Sequence, residues 1–330
     1  MTKSFLIALP VRNGGEHFRE CVRSVLAQTY PHFELLVLDN ASTDDSIEWL
    51  RSQDDPRIRL VQSLLSLGIE DSWGRLMTVS TAHDFMTVTG HDDIFYPDFL
   101  ETINGLIDAH PDAGLYHTHY HLIDGQGGRI RPCTPMPARE RDHEFLAARL
   151  SLRRDSFGTG YVFRPADYLR VGGIPLYRKL LFADDVLWLR LMEGSYRATH
   201  PGRHFAYRVH TGSASYSPDW RPTFEALHSY LAFLKQAVAS PQIAAVLRAG
   251  LCEYMRFWFR WAHFSGGGNT EQLRQKIRTM VAEVRAIDGP SATELERSVE
   301  KYLFGAFAAG RWWVWRALRW ARIRLACQFG

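Results

Sequence analysis

The stretch that decides the fold runs from Ser4 to Ser46, SFLIALPVRNGGEHFRECVRSVLAQTYPHFELLVLDNASTDDS. Its first apolar run, SFLIALP, reads as a buried strand. In EHFRECVRSVLAQ, the residues Phe18, Cys21, Val22, Val25 and Leu26 fall on one helical face. FELLVLD is a second buried strand, and NASTDDSIEWL is a loop rich in capping residues that opens another helix. A strand, a helix and a second strand in this order predict a parallel sheet joined by right-handed crossovers. The polar strand ends PVRNGG and DNASTDD then share one edge.

Working outward, RIRLVQS and FMTVTG supply two more strands, separated by a helical stretch around EDSWGRLMTVS. FMTVTG runs into HDD, which brings the adjacent Asp92 and Asp93 to the same edge. Two adjacent aspartates suit neither a strand interior nor a helix middle. They either cap the helix that begins near Pro97 or hold a cation, since ligands gather at the carboxyl ends of parallel strands. A helix (PDFLETINGLIDAH), a strand (AGLYHTHYHLID), a buried helix just after the pair Asp184 and Asp185 (FADDVLWLRLMEG) and a β segment (HFAYRVHTGSAS) complete this part. Beyond Pro218 the chain turns to helices rich in aromatics and arginine, with SGGGN (Ser265 to Asn269) as a flexible joint. The division is therefore residues 1–217 and a helical region over residues 218–330.

At 330 residues, 46% of them hydrophobic, the chain can bury a large core. A net charge of +3 with no lysine-rich run gives no support to nucleic-acid binding. Cys21, Cys133, Cys252 and Cys327 lie far apart with no C-x-x-C pair, which fits a reducing cytoplasm rather than a zinc or disulfide framework. No run of about 20 apolar residues passes without a charge, so no spanning helix is expected.

The motifs P-x-x-N (Pro10 to Asn13), S-V-x-x-Q-T (Ser24 to Thr29) and D-x-x-S-x-D (Asp39 to Asp44), followed by GHDDIFYPDFLE, VGGIP, DDVLWLRL and YRVHTGSAS, resemble the family 2 glycosyltransferases of GT-A fold over roughly residues 4–217. The resemblance implies an α/β, Rossmann-like, mostly parallel sheet flanked by helices. It also implies inverting transfer of a sugar from a nucleotide diphosphate donor, with a leaning to uridine, to a hydroxyl of a glycan. It places Pro10, Val11, Arg12, Asn13, Asp39 and Asp92 at the nucleotide, with Arg75 as a further candidate beside Trp73 and Gly74. It implies Mg²⁺ or Mn²⁺ held by Asp92, Asp93 and His210. It makes Asp185 the base that deprotonates the acceptor, with Asp184 as the alternative.

Where relatives often carry D-x-D-D, the first aspartate aligns with Gly90, so the metal assignment rests on Asp92. Arg208 either pairs a phosphate or is solvated. His117, His119 and His121 alternate along a strand, lack acidic or cysteine partners nearby in sequence, and are expected to line the acceptor cleft or face solvent rather than bind zinc. The rival readings are a sugar-phosphate nucleotidyltransferase and a catalytically inactive binding or scaffold subunit, the latter favoured by Gly90.

The last segment, Gly310 to Gly330, has a stripe of Val314, Leu318, Ala321 and Leu325. Around it lie Arg311, Arg316, Arg319, Arg322 and Arg324 with Trp312, Trp315 and Trp320. Arginine with tryptophan and no acid suits a helix lying on an anionic membrane surface, which would make the protein peripheral at the inner face of the cell membrane. Packing on neighbouring helices or a homo-oligomer interface is the alternative. With the resemblance, this implies a lipid-linked acceptor in bacterial surface polysaccharide assembly.

Overall fold

A computed structural model describes residues 2–210, 219–264 and 270–302. The chain divides into two compact units, one of Met1–Asp142, Ser156–Leu176 and Ala183–Ser213, the other of His143–Asp155, Tyr177–Phe182 and Ala214–Gly330. The break near residue 213 lies close to the expected boundary at 217. Two short segments inside the expected catalytic region belong instead to the helical unit, a long-range association that no local pattern announces.

The first unit carries β1 (Phe5–Val11), α1 (Gly15–Leu26), β2 (Phe33–Asp39), α2 (Ser46–Arg51), β3 (Ile58–Gln62), α3 (Ile69–Gly74), β4 (Phe85–Val88), β5 (Ile94–Phe95), α4 (Phe99–Ala109), β6 (Leu115–Ile123), β7 (Arg129–Pro132) and β8 (Arg139–Glu140). After α5 (Asp142–Leu150) come β9 (Val162–Phe163), α6 (Pro165–Arg170), α7 (Ala183–Met192) and β10 (Arg197–Arg208). The strands form one sheet in the order β3-β2-β1-β4-β9-β6-β10-β5, with β7 on β6 and β8 on β10. β1 to β4 pair in parallel, as do β6 and β10, while β5, β7, β8 and β9 run antiparallel to their neighbours.

Every residue of β1 is buried, because α1 covers one face of the sheet with Phe18, Cys21, Val22 and Val25. Register places Val11 opposite Asp39 and Asp39 opposite Gln62, so these strands end together. β4 stops three residues short of that level, with Val88 opposite Ala8 and Thr89 N donating to Ala8 O, so the chain leaves the sheet there and its following turn lies beside the ends of β1 and β2. The stretch expected as one helix around EDSWGRLMTVS is a short α3 followed by a single 3₁₀ turn over Arg75–Thr78. At that junction Leu176 packs so closely on Gly74 that a Cβ there would lie 3.3 Å from it.

Beneath the sheet edge where β8 meets β10, Arg197 and Glu140 form a fully buried ion pair. Glu140→Gln would remove the buried negative charge that Arg197 meets here, a change worth about 3 kcal/mol. A lower urea midpoint with an unchanged slope is the expected result; an unchanged midpoint would show the pair to be energetically silent.

The helical unit contains α8 (Trp220–Ala237), α9 (Pro241–Ala262), α10 (Glu271–Ile287) and α11 (Gly289–Tyr302). Asp219, Ser240 and Thr270 cap the first three through their side chains. Buried residues at spacings of three and four, such as Leu227, Leu231 and Leu234 or Leu247, Leu251 and Met255, form the interior. A His228–Glu283 hydrogen bond ties α8 to α10, and the Arg256–Glu294 ion pair ties α9 to α11. The joint expected at Ser265 to Asn269 and the segment Gly310 to Gly330 lie outside the described residues.

Candidate active site

The loops after β1 and β2 are laced together at the carboxyl edge. Asn13 takes a left-handed conformation (φ 49°), which lets its backbone N–H donate to Ser42 Oγ while its side-chain oxygen accepts from Thr43 N at 2.7 Å. Asp44 accepts from Gly15 N at 3.2 Å and from Ser46 Oγ at 2.8 Å. Ser42, Thr43 and Asp44 therefore act as turn and cap residues, while Pro10 and Val11 are buried and Arg12 and Asn13 are exposed.

Asp39 is 1% exposed. One carboxylate oxygen accepts from Ser42 N at 3.1 Å, and the other accepts from Gln62 Nε2 at 3.1 Å. Arg75, a secondary candidate in the sequence, comes directly beside it, donating to the carbonyls of Asp39 (2.7 Å) and Val61 (3.1 Å). Burial lowers the Arg75 pKa, and the Asp39 charge opposes this.

After β4 the chain turns sharply, and Asp92 and Asp93 part company. Asp92 is partly exposed, and its Oδ2 lies 2.8 Å from His210 Nε2. Asp93 is fully buried. Its Oδ1 accepts from Arg208 N at 3.0 Å, and its Oδ2 has no hydrogen-bond partner among the described residues. Burial first, and then the charge on Asp92, push the Asp93 carboxyl well above the usual range. Asp93 thus anchors the end of β10 from inside. Neither aspartate caps α4.

The expectation that Arg208 pairs a phosphate or is solvated is corrected. Its side chain is 2% exposed and already engaged. It donates to Glu20 (2.6 Å), to Asp92 O (2.7 Å) and to the carbonyls of Asp124 and Gly125 (3.3 and 3.2 Å). One guanidinium, with its fixed fork of donors, joins α1, the aspartate turn and the β6–β7 loop. Glu20 and His17 are the residues that sequence reasoning missed here. His17 bonds Gly125 O at 2.9 Å, and its ring lies 5.3 Å from that of His210. Nothing local marks either residue, because their partners lie far along the chain.

Gly90 is packed against the same turn. A Cβ there would fall 2.7 Å from Asp92 Oδ1 and 3.2 Å from Asp93 Oδ2, so the Asp92 carboxylate itself occupies the space beside residue 90. The donor set fits a hard divalent cation. Two neighbouring ligands of an octahedral ion at about 2.1 Å stand about 3 Å apart, close to the Asp92–His210 separation. Among the described residues no group of three or more His, Cys, Asp and Glu side chains is arranged to hold a metal. Among the described residues two ligands, Asp92 and His210, would face such an ion, with phosphate oxygens and water able to fill further positions.

Asp184 and Asp185 stand in the first turn of α7 rather than ahead of it. Asp185 is completely buried, while Asp184 is partly exposed and its Cβ packs near Gly158, as does the ring of Trp73. The β6 histidines do not act as a set. His117 is buried against the Tyr161 ring at 4.0 Å, neither solvent-facing nor in an open cleft, and burial holds its pKa well below normal. His119 bonds the Met136 backbone, and His121 bonds the Tyr96 hydroxyl at 3.0 Å.

Residues 6–163 match the family described as Glycosyl transferase family 2. The chain is 28% identical over 133 residues to the glycosyltransferase GlyG of Streptococcus pneumoniae, covering 39% of this chain. That match spans 43% of GlyG, and a similar one spans 21% of an uncharacterized glycosyltransferase of Rickettsia felis, so the chain aligns with less than half the length of these relatives. Among solved structures, S. aureus TarS residues 1–349 in complex with UDP-GlcNAc shares the fold at a TM-score of 0.61 and 13% identity, over 87% of this chain and 82% of that one. The mannosyltransferase PcManGT of Pyrobaculum calidifontis, in complex with GDP-Man and Mn²⁺, follows at a TM-score of 0.51 and 18% identity, over 88% and 87% of the two chains. With the β1–α1–β2 edge, the aspartate turn after β4 and the acidic first turn of α7 in the expected order, residues 6–163, just under half of the chain, match the family 2 glycosyltransferases, and the chain has the GT-A fold.

Proposed function

We propose that the chain is an inverting glycosyltransferase that moves a sugar from a nucleotide diphosphate donor, UDP favoured, to a hydroxyl of a glycan. The observation that carries this reading is the Asp92–His210 pair at the edge where Asp39 and Arg75 also converge. The UDP-GlcNAc held by TarS and the GDP-Man and Mn²⁺ held by PcManGT support the ligand classes.

In this reading Asp39 and the Pro10–Asn13 backbone orient the base and ribose. Asp92 and His210 would hold Mg²⁺ or Mn²⁺, which supplies charge neutralisation for the departing diphosphate. Asp93 keeps β10, and with it His210, against the aspartate turn rather than acting as a ligand. Asp185 takes the acceptor proton as the oxygen attacks the anomeric carbon. The bond to the diphosphate breaks on the opposite face, which inverts the centre.

Incubating the protein with a panel of nucleotide sugars, with and without Mn²⁺, tests the reading. Metal-stimulated release of nucleoside diphosphate is expected. Release of pyrophosphate from a nucleoside triphosphate and a sugar phosphate would point to a nucleotidyltransferase, and binding without turnover would point to a scaffold subunit.

The acceptor is assigned as lipid-linked and the site of action as the inner face of the cell membrane, on the arginine and tryptophan of Gly310 to Gly330. Among the described residues no helix is long and apolar enough to cross a membrane. Each basic residue near an anionic surface contributes about 1 kcal/mol. Changing Arg316, Arg319 and Arg322 to Glu should therefore release the protein from anionic vesicles while sparing donor hydrolysis. Sedimentation of that variant with vesicles as for the wild type would reassign the segment to packing or self-association.

A further inference from the structure

A cavity of about 490 Å³ opens in the first unit, between α1, β5, β10 and the β6–β7 loop. None of the residues assigned above to nucleotide, metal or acceptor proton lines it. Its apolar wall is Ile94, Ile123 and the ring of Tyr96, and its charged rim is Glu20, Arg23, Arg129 and Arg208. The rim charges are not equivalent. Arg208 is neutralised by Glu20 at 2.6 Å, and Arg23 meets Glu16 across an exposed 2.9 Å contact. Arg129 is exposed, and its side chain makes no hydrogen bond or ion pair among the described residues. Its charge reaches inward all the same, since it adds to burial in lowering the pKa of His121, which bonds Tyr96. The cavity thus combines an aromatic and aliphatic wall, of the kind that packs against the C–H face of a sugar ring, with a net surplus of cationic donors at its mouth.

We infer that this cavity is a second glycan subsite that takes an anionic sugar, its ring against Tyr96, Ile94 and Ile123 and its carboxylate or phosphate on Arg129 and Arg23. The sugar class rests on the glycosyltransferase reading; the preference for an anion rests on the cavity alone. A planar guanidinium pairs with either oxyanion through two parallel hydrogen bonds.

Ligand-observed NMR titration of the full chain with glucuronate, glucose 6-phosphate, glucose and inorganic phosphate tests it. Glucuronate or glucose 6-phosphate should bind at least about tenfold more tightly than both glucose and inorganic phosphate, and the tighter of the two identifies the anion. Arg129→Glu, at an exposed position outside the residues assigned to nucleotide, metal and acceptor proton, should erase that preference and leave UDP affinity in Mn²⁺ unchanged. Equal binding of glucose and the anionic sugars, or wild-type binding by the variant, would overturn the inference. Inorganic phosphate binding as tightly as glucose 6-phosphate would overturn the sugar class. Failure of the wild type to bind any nucleoside diphosphate would count against the glycosyltransferase reading instead, and the sugar titration would still be decided on its own.

Discussion

Asp185→Asn is expected to lower sugar transfer by about 10²- to 10⁴-fold while nucleoside diphosphate binds as before, the range for removal of a general base. The substitution keeps size and burial, so packing of α7 is preserved and the loss falls on proton transfer. Because Asp185 is fully buried, acceptor binding must open a path to it, whereas Asp184 already reaches the surface near Trp73 and Gly158. The two single variants separate these roles. If Asp184→Asn abolishes transfer and Asp185→Asn retains it, the base is Asp184, and Asp185 serves only the first turn of the helix.

Asp92→Ala should abolish the gain in nucleoside diphosphate affinity that Mn²⁺ provides, leaving only weak metal-independent binding. It removes the one partly exposed carboxylate of the turn and leaves His210 alone, and a single imidazole is a poor site for a hard cation. The fold should survive, since the contacts that bind the turn to β10 use the Asp92 carbonyl and the Asp93 side chain. Calorimetric titration of UDP with and without Mn²⁺ reads the outcome directly. Unchanged metal-dependent affinity would place the cation elsewhere.

The parallel core was legible in the sequence because its signals are local. Apolar runs mark β1 and β2, the spacing of Phe18, Cys21, Val22 and Val25 marks α1, and turn residues mark the common edge. From that, the positions of Asp39 and Asp92 follow. The two-residue strands β5, β8 and β9 carry no periodicity, and their antiparallel pairing is decided by distant partners. Arg208 shows the same limit in the site. Its ordinary place in YRVHTGS gives no sign that it is among the largest fully buried side chains, since Glu20 and the loop carbonyls that stabilise it there are brought up only by the fold. The separation of Asp92 from Asp93 is equally non-local. Adjacent in sequence, one faces the cleft and the other the interior, because the tight turn after β4 points them apart.

The reach of the Arg208 clamp also bears on the order in which the protein is made. Glu20 and Arg208 are 188 positions apart, Asp93 and Arg208 115, and Asp92 and His210 118. At about 5–20 residues per second of synthesis, the chain through β4 waits several seconds or longer before the strand that completes the aspartate turn emerges. During that interval β1 to β4 can pair among themselves, but the buried Asp93 lacks the backbone N–H that β10 will bring. If the site binds a nucleotide donor as proposed, that binding is withheld until nearly two thirds of the chain has left the ribosome. Nascent chains arrested with residue 195 exposed should fail to retain UDP–Mn²⁺ in a pull-down that captures chains exposed through residue 218. Equal capture of both would show that the cleft matures without its closing strand.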